Sequence, residues 1–171
     1  MTNEQPRSER HVLTVTVDNE PGILAKITGL FTARGYNIDS LTVADISENN
    51  ALSRITLVTG GPPAVIDQIR AQLERLVPVH KVTDLTEAGP HVERELALVK
   101  VKGTGEARVE ALRIADIFRA KSVDITTSSF IFELTGSPTK IDNFILLMRE
   151  LGLVEVGRSG IVGMMRGQDP I

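Results

Sequence analysis

The chain has no cysteine among its 171 residues. That excludes disulfides, thiolate nucleophiles and cysteine-ligated zinc or iron–sulfur centres. Long apolar runs are missing as well. Nothing approaches the roughly 20 residues of a bilayer-spanning helix, and residues 1–10 are polar, without the apolar stretch of a signal peptide. A cytoplasmic chain without membrane attachment is the expectation. Positive charge is not in excess either. The net charge is −3, divided as 8 basic against 11 acidic residues through Ala88 and 11 against 11 beyond it. Neither half carries the basic surface that phosphate neutralisation requires, so no nucleic-acid partner is expected. Histidine is scarce, and His11, His80 and His91 stand far apart with no metal-ligand spacing.

Catalytic constellations are absent too. There is no G-x-S-x-G elbow, no H-E-x-x-H helix and no G-x-x-x-x-G-K-[ST] phosphate loop. Gly60-Gly61-Pro62-Pro63 lacks the basic residue a phosphate loop needs and reads as a rigid turn before a helix. The carboxylates lie beside Lys and Arg along predicted helix faces, the pattern of a solvated surface. No catalytic residue and no metal site are assigned.

What the sequence does contain is a repeat. Leu30-Phe31-Thr32-Ala33-Arg34-Gly35-Tyr36-Asn37-Ile38 is answered 87 positions later by Ile117-Phe118-Arg119-Ala120-Lys121-Ser122-Val123-Asp124-Ile125. Thr59-Gly60, Pro62, Ile66-Asp67 and Leu76 are answered by Thr135-Gly136, Pro138, Ile141-Asp142 and Leu151. A period of about 75 to 85 residues is too long for a solenoid unit and suits a small domain, so two related domains in tandem are expected.

Hydrophobic periodicity gives each copy the same order. Residues 11–17 alternate as a strand, and Ile23, Leu24, Ile27, Leu30 and Phe31 recur at helical spacing between Pro21 and Gly35. Residues 36–46 and 51–59 read as two strands, 65–76 as a helix ended by Pro78, and 79–85 as a fourth strand. In the second copy, strands are predicted at 95–102, 123–127, 130–135 and 153–156, with helices around Val109–Phe118 and Ile141–Leu151. Two βαββαβ units of this length predict an α+β protein of tandem ferredoxin-like domains, each an antiparallel sheet with two helices on one face. The expected divisions are a polar tail at 1–10, a first domain at 11–85, a linker at 86–94 centred on Gly89-Pro90, and a second domain at 95–171 ending in a glycine-punctuated tail. Each domain is small enough to bury only about 60% of its unfolded surface, which favours packing of the two against one another or association with a second copy.

The first strand-to-helix turn, Asn19-Glu20-Pro21-Gly22, is the place where a small ligand could sit. Gly22 admits close approach, the free N–H groups at a helix start receive a carboxylate, and Asn19 offers both a donor and an acceptor. An N-cap turn with no ligand fits the same residues. The second copy has Gly103-Thr104-Gly105-Glu106 there, so a ligand site would exist in the first domain alone. Asn37 opens the following strand, where the second copy keeps Asp124.

Taken together, D-N-E-P-G at 18–22, G-L-F-T-A-R-G-Y-N-I-D-S-L-T-V at 29–43, H-V-E-R-E at 91–95 and R-S-G-I-V-G at 158–163 resemble the small, regulatory subunits of acetolactate synthase. The resemblance covers nearly all of the chain after residue 10, and the first domain looks like an ACT domain. It implies a non-catalytic homodimer that binds a branched-chain amino acid, usually valine. It also implies a separate large catalytic subunit that joins 2-oxo acids with thiamine diphosphate, with Mg and FAD in that partner and no cofactor in this chain. By the same resemblance Asn19, Gly22, Ile23 and Leu24 would line the effector site from one chain, and Asn37 and Ile38 from the other. The turn departs from the family pattern at Pro21 and keeps its Asn and Gly.

Three other readings fit the frame less well. An RNA-binding module needs aromatic and basic residues on its central strands, and residues 36–59 hold only Tyr36 and Arg54 of those types. An acylphosphatase-like hydrolase needs an Arg beside the turn, which supplies Asn19 alone. An ACT-domain sensor regulating a different enzyme is the remaining alternative.

Overall fold

The computed structural model describes residues 9–170. Strand β1 (Glu9–Asp18) leads into helix α1 (Ile23–Ala33), then β2 (Ser40–Asp45), β3 (Leu52–Gly61), α2 (Pro63–Leu73) and β4 (Val79–Asp84). A short helix α3 (Leu85–Ala88) precedes the second run: β5 (His91–Lys102), α4 (Gly105–Phe118), β6 (Lys121–Ile125), β7 (Ser129–Gly136), α5 (Pro138–Leu151) and β8 (Leu153–Arg158), with β9 (Val162–Met165) last. The sheets run β2-β3-β1-β4 and β6-β7-β5-β8, and β9 pairs with β5 off that path. All registered pairs are antiparallel, so both predicted ferredoxin-like units are present. Among the described residues no helix is long and apolar enough to cross a membrane.

The chain divides into two compact units, one holding residues up to Val92 and those from Ile161 on, the other Glu93–Gly160. In the first, alternation sends Leu13, Val15 and Val17 of β1 and Ile55 and Leu57 of β3 to one face, where they meet Ile23, Ile27 and Phe31 of α1 and Ile66, Ile69 and Leu73 of α2. Each aliphatic side chain so buried contributes about 1.5–3 kcal/mol. In the second unit Ala97, Val99, Val101, Phe130, Phe132 and Leu134 face Ala111 and Ala115 of α4 and Ile141, Phe144 and Met148 of α5.

Turn chemistry sets the helix limits. Gly35, at φ +67°, ends α1, and the N–H groups of Gly35 and Tyr36 return to the carbonyls of Thr32 and Phe31. Pro63 opens α2, while α5 opens with Pro138 behind Ser137, whose hydroxyl caps the N–H of Lys140.

Several boundaries shift by a few residues from the sequence expectation, β6 for one lying at Lys121–Ile125 instead of 123–127, and three differences bear on the site. Strand β2 starts at Ser40 instead of residue 36, since the chain bends at Asp39, where the Asn37 amide donates to the Asp39 carboxylate. The expected linker at 86–94 is largely ordered structure: Asp84 accepts from the N–H groups of Thr86 and Glu87 and starts α3, and β5 already begins at His91. The tail from Ile161, expected with the second domain, packs in the first unit. There Ile161 joins Val12, Val58 and Leu85, with Met165 against them, on the sheet face away from α1 and α2.

Candidate functional site

The turn after β1 is built by its neighbours. The N–H of Asn19 donates to the Ala51 carbonyl at 2.9 Å, and that of Asp18 to the Pro78 carbonyl at 2.8 Å. Asn19 Nδ2 donates to Asp45 Oδ1 at 2.8 Å and to the Asn50 carbonyl at 3.0 Å, which fixes the amide orientation and leaves its oxygen free to accept. Ser53 also donates to Asp45 Oδ1. Asp45 thus locks the turn to the far end of β2, a role not apparent in the sequence, where it was one carboxylate among many.

Gly22 is the N-cap of α1, at φ +87°, and no side chain caps the helix. The Ile23 N–H returns to the Glu20 carbonyl at 3.3 Å, and the ladder begins with Lys26 donating to Gly22. The N–H groups of Leu24 and Ala25 therefore carry the positive end of the helix without an intrahelical acceptor. The side chain of Ile23 is buried in the core, so this residue offers backbone only, whereas Leu24 is 39% exposed and can touch a ligand. Lys26 is spent on Glu20 at 2.8 Å.

Asn37 and Ile38 lie elsewhere. Thr59 donates to the Asn37 carbonyl at 2.7 Å, and the Asp39 N–H to the Val58 carbonyl at 2.8 Å. Thr59 pairs with His11, near the start of β1, while the turn follows Asp18 at its end. Eight residues of extended strand separate the two levels, about 26 Å at 3.3 Å per residue. Asn19, Gly22, Ile23 and Leu24 thus form one group and Asn37 and Ile38 another, at opposite ends of the same sheet. A single chain does not bring them together.

Edge strand β2 spans the gap. Among the described residues its one ladder is with β3, from Ser40 against Val58 to Asp45 against Ser53. The exposed residues of α1 are Leu24, Ala25, Gly29, Thr32 and Ala33 with a single charge, Lys26, and those of α2 are Pro63, Ala64, Asp67, Gln68 and Ala71.

Ionisable groups also come together elsewhere. His11 is buried and its Nδ1 lies 2.7 Å from Asp84 Oδ2, with Glu87 close by. Asp84 also caps α3, and Glu87 pairs with Arg70 at 2.7 Å, so each carboxylate already serves the fold. In the second unit, Arg158 grips buried Glu95 through Nε at 2.7 Å and Nη2 at 2.6 Å, and reaches Asp142 through Nη1 at 2.7 Å. Hydrogen bonding to Glu95 foremost holds the guanidinium charged beyond its ordinary range. The H-V-E-R-E and R-S-G motifs therefore meet as a bidentate ion pair that fastens β8 to β5.

Comparison with known proteins extends over both units. Residues 13–81 match the model of the AHAS small subunit-like ACT domain, and residues 94–167 that of the small subunit of acetolactate synthase. The acetolactate synthase isozyme 3 small subunit of Escherichia coli is 45% identical over 159 residues, covering 92% of this chain and 96% of that one. A probable acetolactate synthase small subunit of Archaeoglobus fulgidus is 45% identical over 158 residues, 92% of this chain and 98% of its own. The crystal structure of the small subunit from Thermotoga maritima superposes with a TM-score of 0.83 at 38% identity, covering 94% of this chain and 99% of that one.

Proposed function

The chain belongs to the acetolactate synthase small-subunit family, and from that premise we propose that it is a regulatory subunit that activates a separate catalytic subunit and makes it sensitive to valine. Catalysis, with thiamine diphosphate, Mg and FAD, belongs on this reading to the catalytic chain. The effector sits between two copies of the first unit.

One observation carries the two-chain site: Asn19 and Asn37 flank edge strand β2 at opposite ends. A two-fold contact is self-complementary. Antiparallel meeting of β2 with β2 of a second copy sets the Ser40 end of one beside the Asp45 end of the other. Asn37 and Ile38 then approach the other copy's Asn19–Leu24 turn, and the arrangement makes two equivalent sites. The outer side of α1 carries one charge, Lys26, already paired with Glu20, so its small and apolar residues suit burial in such a contact.

The chemistry of the turn fits an amino acid. An α-carboxylate is received by the Leu24 and Ala25 N–H groups at the positive end of α1. The ammonium needs acceptors, which the free amide oxygens of Asn19 and Asn37 supply. Leu24 and Ile38 offer the apolar surface a branched side chain requires. Inhibition follows if valine binds one arrangement of the dimer better than another, since an effector shifts an equilibrium only by its differential affinity.

The test is an acetolactate assay with the catalytic subunit from the same genome, with and without this chain and with and without valine. This chain alone should form no acetolactate, its addition should raise the rate, and valine should then lower it. A rate indifferent to its addition would refute the reading.

A further inference from the structure

The motif from Gly29 to Val43 and the motif from Arg158 to Gly163 meet in the first unit, at Ser40, Thr42 and Ile161. The Ile161 N–H donates to Ser40 Oγ at 2.9 Å, and Thr42 Oγ1 donates to the Ile161 carbonyl at 2.9 Å. Two hydroxyls spaced i, i+2 on one strand face thus satisfy both backbone groups of one tail residue. Ile161, only 6% exposed, fills the space among Val12, Val58 and Leu85. Gly163 permits the approach, since a Cβ there would lie 2.5 Å from Leu85 Cδ1 and 3.3 Å from Val12 Cγ1.

This clamp lies beside the effector residues. Among the described residues β2 has a ladder on one side only, and through the hydroxyls of Ser40, three residues from Asn37, and Thr42 it is tied to Ile161 as well. We infer that seating of residues 161–165 on Ser40 and Thr42 is coupled to occupation of the effector site, with Ser40 and Thr42 as positioning residues. The inference rests on the regulatory reading above. An effector that needs the Asn37–Ile38 segment in one place binds better when the clamp holds β2 in that place. By linkage, the bound effector must stabilise the seated tail by the same factor.

Hydrogen exchange and calorimetry on the full-length chain test this with valine as the probe. In the unaltered protein, valine should slow exchange of the Ile161–Met165 amides at least about fivefold, the low end of ordinary allosteric coupling, while α2 amides stay unchanged. Ser40→Ala with Thr42→Val should speed tail exchange and weaken valine binding by at least about the same factor. The swap Ser40→Thr with Thr42→Ser keeps both hydroxyls and should restore both readings, which a general loss of stability would not allow. Tail exchange indifferent to bound valine, or valine affinity unchanged after loss of both hydroxyls, would overturn the coupling and leave the effector site standing. Absence of valine binding by the unaltered chain would overturn both.

Discussion

At Gly22 the backbone lies at φ +87° with nothing within 4 Å of where a Cβ would stand. Aspartate tolerates the left-handed region better than most residues and is a preferred N-cap, so Gly22→Asp should leave the fold intact. It would place a carboxylate at the helix start, where the proposed site receives the effector's own. Asn37→Ala removes the amide and its bond to Asp39 while the main-chain bond to Thr59 stays. Both variants should still activate the catalytic subunit yet lose inhibition by valine. Loss of a hydrogen bond to a charged group, about 1.5–3 kcal/mol, corresponds to an affinity drop on the order of 10- to 150-fold by calorimetry. At the surface, Lys100 lies 2.8 Å from Glu155 and holds its carboxyl below the ordinary value of 4.5. The lowered value means stability that is present above the unfolded carboxyl's range and lost as pH falls through the folded value. Both groups are exposed, so the acid-side difference between the protein and Glu155→Gln in denaturant titrations should fade in high salt.

At the scale of elements, Asp84 ends β4, starts α3 and holds the buried His11. Replacing a capping Asp costs about 0.5–2 kcal/mol, and stranding a buried imidazole adds about 1–3 kcal/mol. Asp84→Ala should therefore lower the urea midpoint well beyond Asp67→Ala on the exposed face of α2. Helix α3 shows how far the sequence could be read. The spacing Asp84…Glu87 is a capping pattern, but it lies beside Gly89-Pro90 and covers one turn, too short for helical periodicity to register. The long elements were legible because each buries one face: β1 and β3 alternate, and α1, α2 and α5 carry apolar residues every three to four positions. Strand β2 was read five residues too long, four before Ser40 and one after Asp45, since the bend at Asp39 leaves no mark in hydrophobicity. Strand β9 has four residues with a glycine inside, and the residue before it, Ile161, finds its partners Ser40 and Thr42 more than a hundred residues away. The candidate site was half legible. Gly22 and Asn19 announce a turn by residue type, but Asp45 as its anchor and the separation of Asn37 from it follow from strand register alone.

At the scale of the whole molecule, the central claim is that two copies of this chain complete each effector site. Complementation between tagged chains tests it most directly: one chain carries Gly22→Asp, the other Asn37→Ala, and the mixed dimer is isolated through both tags. Each variant homodimer has both sites damaged. In the mixed dimer one site receives both substitutions and the other receives neither. Calorimetry should then find valine bound to the mixed dimer with the affinity of the unaltered protein and half its stoichiometry, although each homodimer binds weakly. A mixed dimer that binds valine no better than either homodimer would place Gly22 and Asn37 in service of one chain and contradict the shared site.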